Sequence, residues 1–171
     1  MLYARSLAYL VLSYGLMGVM GLVGAPLVLW REDWTRAWNK AYIRANFALA
    51  RLLCGIRVEI RGPVPSGDVI VAAKHQSQLD VLALYLALPE ARFVMKRELM
   101  WMPFFGHYAK RTGALPIDRA GGSATIRRMI EAFRPVRGQI VIYPQGTRVP
   151  PGTKARYRRG AVSLYCALDR P

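Results

Sequence analysis

Apolar positions along the chain change period partway, dividing it into a helical front and a remainder in which strands and helices alternate. No charged residue occurs from Ser6 to Trp30, and this run of Leu, Val, Met and Gly is long enough for one membrane-spanning or membrane-embedded helix. Arg5 and Arg31 bracket it. Gly15, Gly18, Gly21, Gly24 and Pro26 leave a bent or re-entrant segment open beside a straight span. A cleaved signal peptide fits less well, because the apolar region is too long and no small-x-small site ends it before Trp30. Trp34 to Leu53 reads as the next helix, with Arg36, Lys40, Arg44 and Arg51 along one stripe and Trp38, Tyr42, Ile43, Phe47 and Leu49 as its apolar remainder. Such a helix suits an anionic membrane surface, and equally an ordinary packed helix with a solvated basic face. Cys54-Gly55 ends it.

Beyond Gly55 the period shortens. Ile56–Arg61 alternates apolar and charged residues at period two, which predicts a half-buried strand, followed by a turn over Gly62–Gly67. Val69–Ala73 predicts a buried strand and Leu79–Leu88 a helix, closed by Pro89. Arg92–Lys96 predicts a strand, Leu99–Tyr108 a short helix and loop, and Gly113–Arg119 a further strand. A helix over Ser123–Phe133 and a strand over Gln139–Tyr143 follow, with Pro144–Arg148 a loop at that strand's carboxyl end. The alternation implies an α/β fold: a mixed sheet flanked by helices, behind an N-terminal membrane-anchoring segment. The expected division is residues 1–54 for the anchor and 55–171 for the α/β domain. Ligands of such sheets gather at the carboxyl ends of the strands. His75, Lys96, Arg119 and Arg148 all follow predicted strands, so one crevice can receive them all.

Composition adds a partner class. Lys and Arg total 25 against 10 acidic residues, a net charge of +15 that favours a polyanion: nucleic acid, anionic lipid or a phosphorylated substrate. An apolar share of 53% is high for a soluble chain and calls for a membrane or a partner to cover the excess. Arg31, Arg36, Lys40 and Arg44 outnumber Arg5, so the positive-inside rule puts the bulk of the chain on the cytoplasmic side of an inner membrane. Cys54 and Cys166 lie far apart, without zinc or disulfide-framework spacing.

His75 and Asp80 carry the candidate chemistry. Residues five apart on a regular helix sit about 140° apart around its axis, so the two meet only if His75 lies in the loop before the helix and Asp80 in its first turn. Ser77 or Gln78 then caps the helix. In that geometry Asp80 accepts from one imidazole nitrogen and leaves the other as a base. The same spacing also fits a loop histidine beside an N-terminal cap.

Four segments, in order, resemble the glycerolipid acyltransferase family that includes 1-acylglycerol-3-phosphate acyltransferases. His75-Gln-Ser-Gln-Leu-Asp80 matches that family's His-x4-Asp motif. Lys96-Arg-Glu-Leu99 running to Pro103-Phe-Phe-Gly106, Pro116-Ile-Asp-Arg119 and Tyr143-Pro-Gln-Gly-Thr-Arg148 are similar to its other three blocks. The resemblance implies direct acyl transfer from acyl-CoA or acyl carrier protein to the hydroxyl of a lysophospholipid, with no cofactor or metal and no acyl-enzyme. His75 is then the base and Asp80 its partner. Lys96, Arg119, Gly146, Thr147 and Arg148 form the phosphate site, and Gln145 orients the loop. Lysophosphatidate is the expected acceptor, with another lysolipid, such as an amino-acid-containing one, as the alternative. Gln145 stands where the family has Glu, and Lys74 where it has Asn. Family members also continue past the equivalent of Pro171 into another strand, so the resemblance implies a chain truncated at its C-terminus.

Two other functions compete. A nucleic-acid module draws on the charge and on Lys154, Arg156, Arg158 and Arg159, but lacks an RNP motif, zinc spacing or helix-turn-helix, and leaves the anchor unexplained. Nucleic acid is therefore not an expected partner. A catalytically inactive membrane-binding fragment draws on the truncation and on Gln145. A hydrolase finds no support, since Gly121-Gly-Ser-Ala is not a nucleophile elbow.

Overall fold

A computed structural model describes residues 2–118 and 122–171, without the side chains of 27–29. The chain forms two compact units, residues 1–62 with 102–112 and residues 63–101 with 113–171. The segment 102–112, grouped with the α/β part on sequence, thus belongs by its packing to the helical unit.

The helical unit contains α1 (Leu2–Val23), α2 (Ala25–Trp30), α3 (Glu32–Cys54) and α5 (Phe105–Arg111). α1 and α3 form an antiparallel hairpin held by polar groups at three levels. Arg5 Nε donates to the Leu53 carbonyl at one end. Midway, Asn46, 1% exposed, accepts from the Tyr9 hydroxyl at 2.8 Å and donates to Ser13 Oγ. At the far end, Trp38 Nε1 donates to the Met20 carbonyl at 2.9 Å, and Tyr108 Oη of α5 donates to the Gly21 carbonyl at 2.9 Å. Both donors reach carbonyls in the last turn of α1, and the Met20 carbonyl also accepts from the Gly24 N–H at 2.9 Å. The Trp38 and Tyr108 side chains close over Gly24, leaving no room there for a Cβ. This is where the long apolar run is interrupted between α1 and α2.

Gly55 ends α3 in the left-handed conformation at φ 70°, returning its N–H to Arg51 O at 3.0 Å. The basic stripe expected on α3 is not uniform. Arg36 is buried and paired with Glu32 one turn earlier, while Arg44 and Arg51 are exposed. Leu7, Leu10, Val11, Val19 and Leu22 of α1 are also exposed.

In the α/β unit, β1 (Ile70–Ala72), β2 (Ala91–Lys96), β3 (Leu115–Ile117) and β4 (Gln139–Ile142) form one sheet in the order β1-β4-β2-β3. All three pairings among these strands are parallel, which narrows the expectation of a mixed sheet. β4 is central and buried throughout, as its unbroken apolar run requires. Its Ile140 and Ile142 pack with Val94, Leu164 of α7 (Arg159–Leu168), and Met129 and Phe133 of α6 (Gly122–Phe133). Val141 packs on the other face with Leu88, Ala91 and Phe93, backed by Val81 and Leu84 of α4 (Gln78–Ala87). Each fully buried side chain of this size contributes about 1.5–3 kcal/mol.

One polar residue inside this core has a clear reason. Gln139 accepts from the Glu90 N–H at 2.7 Å and donates to the Gly67 carbonyl at 2.8 Å, tying together the loops at the amino ends of the strands. The strand predicted over Ile56–Arg61 does not form. The residues have no ladder partner among the described strands, and Ile56, Val58 and Ile60 are exposed. Alternation alone does not make a strand without a neighbour to bond.

Candidate active site

The parallel sheet directs every strand's carboxyl end to one side, and the loops there carry the candidate residues. Past β1, the ladder makes one more bond, Ala73 N–H to Ile142 O at 3.0 Å, and then the backbone turns. Ser77 starts α4: its Oγ accepts from the Leu79 N–H at 3.1 Å, and Asp80 Oδ2 reaches back to the Ser77 N–H at 2.7 Å. The same Oδ2 accepts from the Gln76 N–H at 2.7 Å. Asp80's other oxygen, Oδ1, lies 2.9 Å from His75 Nδ1. The cap and the pair are therefore one construction, in which two amides fix a carboxylate that fixes an imidazole.

Burial opposes the charge on Asp80, but the Ser77 and Gln76 amides and the nearby imidazole outweigh it, holding the carboxyl below the usual carboxylate range. With Nδ1 committed to Asp80, Nε2 makes no hydrogen bond to a described residue. A neutral imidazole in this tautomer presents Nε2 as a proton acceptor.

The loop after β4 clasps His75 from both sides. Gln145, 6% exposed, accepts the His75 N–H through Oε1 at 3.2 Å, and the Val149 N–H donates to the His75 carbonyl at 2.8 Å. A side-chain carbonyl oxygen suffices for this contact, so Gln145 can orient the loop without a charge. Gly146 has φ 69°, and its N–H closes a turn onto the Tyr143 carbonyl at 2.9 Å. Thr147 and Arg148 follow it and are exposed, and no described carboxylate pairs with Arg148.

Lys96 ends β2 as expected, but its ammonium lies 3.3 Å from Glu98 Oε1 with both side chains largely in solvent. It is so far a solvent-screened strand-end charge pair. Arg119 lies outside the described residues.

Two contributors escape sequence reasoning. Tyr143 stacks on the His75 ring, with centroids 4.3 Å apart and planes 25° apart, and Phe93 and Tyr85 continue the aromatic column. Burial first, and then the Asp80 carboxylate, push the Tyr143 phenol up, so it stays protonated. Its hydroxyl is buried near that carboxylate without hydrogen-bond geometry. The second is Arg158, whose side chain covers Gly146. Neither contact follows from spacing in the sequence.

Against known proteins, the Acyltransferase family model matches residues 55–171. The chain belongs to the acyltransferase family. Among relatives of these acyltransferases, a 1-acyl-sn-glycerol-3-phosphate acyltransferase of Pseudomonas aeruginosa is 28% identical over 172 residues, covering 96% of this chain and 66% of its own length. One from Salmonella typhimurium is 38% identical over 126 residues, 70% of this chain and 51% of its own. The alpha form from Mus musculus is 34% identical over 140 residues, 78% of this chain and 49% of its own. The chain thus spans about half to two thirds of the length of these acyltransferases. The crystal structure of the 1-acyl-sn-glycerophosphate (LPA) acyltransferase PlsC from Thermotoga maritima superposes with a TM-score of 0.74 at 20% identity, over 98% of this chain and 73% of that one. The two share the acyltransferase fold.

Proposed function

We propose that this acyltransferase moves an acyl group from a thioester, acyl-CoA or acyl carrier protein, to the hydroxyl of 1-acylglycerol-3-phosphate, giving phosphatidic acid. The observation that carries the reading is the 2.9 Å contact between Asp80 Oδ1 and His75 Nδ1, which leaves Nε2 as a base. Nε2 takes the hydroxyl proton as oxygen attacks the thioester carbonyl. The C–O bond forms, the C–S bond breaks, and the imidazolium returns the proton to the departing thiolate. Asp80 stabilises the imidazolium in between and stays ionised throughout. General-base assistance of this kind supplies about 10²- to 10⁴-fold, and holding both substrates together supplies more.

An acceptor phosphate requires fixed cations at the same end of the sheet. Arg148, exposed and without a carboxylate partner, is suited to bidentate grip, with Thr147 and the Gly146 turn beside it. Lys96 must leave Glu98 to join, and Arg119 is a further cation of this set. The acceptor is named on the relatives' activity and on these cations together.

The apolar outer face of α1 belongs in the inner membrane, with the α/β unit on the cytoplasmic side and anionic lipid at the exposed Arg44 and Arg51. α1 is long and apolar enough to cross a membrane. Its partnership with the charged α3 favours a hairpin held in one leaflet.

The test is an assay of membranes carrying this chain, supplied with radiolabelled lysophosphatidate and an acyl thioester. Labelled phosphatidate is the expected product; no product with either donor class contradicts the reading.

A further inference from the structure

We propose that Arg158 is a second guanidinium of the acceptor head-group site, which makes the site selective for a phosphomonoester over a neutral glyceride. The inference deepens the acyl-transfer reading and rests on it for the identity of the ligand.

Arg158 enters the site through backbone and side chain together. Its N–H donates to the Pro144 carbonyl at 2.8 Å, which pins residue 158 against the start of the loop after β4. Its side chain then runs over Gly146: a Cβ built on that glycine falls 2.9 Å from Arg158 Cδ and 2.8 Å from Nε. Gly146 is required by its φ of 69°, and a side chain there would also have to displace Arg158. The loop in question is the one clasped to His75 by Gln145 and Val149. Arg158 thus sits on the same four-residue stretch that presents Thr147 and Arg148.

Charge supports a ligand there. No described carboxylate pairs with Arg158 or with Arg148, and no Asp or Glu occurs in the sequence between Glu131 and Asp169. Arg148 on this loop and Arg158, which returns to it ahead of α7, bring two guanidinium groups without a carboxylate partner to the same stretch of backbone, and like charges gathered this way favour an anion. A phosphomonoester dianion offers three oxygens, enough to accept from both forks. A hydroxyl or neutral ester head group compensates neither charge. The expectation is that Arg148 and Arg158 act together on the phosphate, while Lys96, already beside Glu98, contributes less.

The experiment uses the full chain in detergent, with the variants R158Q and R158K. Equilibrium binding of lysophosphatidate and of monoacylglycerol is measured alongside turnover of both. R158Q should weaken lysophosphatidate binding and raise its KM by about tenfold, with kcat at saturation little changed, while R158K, which keeps the charge, loses about threefold or less. Monoacylglycerol binding should not move in either variant. Lysophosphatidate bound equally well by R158Q and the natural chain overturns the proposal. So does an equal loss toward both lipids, or equal loss in R158K and R158Q, since either marks simple packing over Gly146. Absence of acyl transfer by the natural chain defeats the acyl-transfer reading alone, because the binding comparison still decides the role of Arg158.

Discussion

The two units place their apolar and polar residues in opposite ways. In the α/β unit, Val141 is 0% exposed at the centre of the sheet, and the cations Lys96, Arg148 and Arg158 stand outside. In the helical unit, Val19 is 62% exposed while Asn46, Thr35 and Arg36 are buried. A water-soluble fold buries its apolar groups and solvates its polar ones. The first unit obeys that rule. The second places apolar side chains outward along α1 and pairs Tyr9, Ser13 and Asn46 within the hairpin, the arrangement expected where a helix faces lipid hydrocarbon, while Arg44 and Arg51 of α3 stay exposed. The difference fits the membrane placement proposed above for α1, in which the two units face different solvents.

A single substitution, Val to Glu, separates the two cases most sharply. Val141→Glu puts a charge in the middle of the sheet and should cost more than about 4 kcal/mol, seen as loss of the cooperative unfolding transition. Val19→Glu should leave the circular dichroism spectrum intact yet weaken sedimentation with anionic vesicles at least about tenfold, from the roughly 2.5–3.5 kcal/mol expected for an acid in lipid. Equal unfolding in both variants would erase the contrast between the units.

Asn46→Leu tests the polar seam of the hairpin. It strands the Tyr9 hydroxyl and Ser13 Oγ, and a loss of about 1–3 kcal/mol in denaturant unfolding of the detergent-solubilised chain is expected. No change would mean that the seam is dispensable.

The smallest effect concerns acid. Because the folded pKa of Asp80 is lowered, its contribution to stability is fully present above the ordinary aspartate range and disappears as pH falls through the folded value. Asp80→Asn should therefore flatten the loss of stability below about pH 4 and have little influence on its pH dependence above it. An unchanged acid limb in a pH series of thermal unfolding would remove Asp80 from this role.

Much of the α/β unit was legible because its signals are local. The run Val69–Ala73, the cap at Ser77 and the five-residue step from His75 to Asp80 lie within one short stretch, and a loop followed by a helix is the one arrangement that lets that pair meet. The strand ends likewise put Lys96 and Arg148 at the carboxyl ends of β2 and β4, where the structure has them. Whatever depends on contacts between distant elements was not legible. Ile56–Arg61 has a strand's alternation but no neighbour. Arg36 looked like a surface cation until Glu32 and burial claimed it. Tyr143 reads as a strand residue, and only the crossing of β4 beside the β1 loop brings its ring onto His75. Arg158 reads as one of a run of cations, and only the return of the chain to Pro144 sets it over Gly146.

The central claim, that the imidazole held by Asp80 is the base for acyl transfer, is tested most directly by kcat/KM of His75→Ala with lysophosphatidate, in membranes carrying matched amounts of folded chain. The account predicts a fall of at least about 10²-fold with vesicle binding unchanged. Turnover within a few fold of the natural chain would contradict it.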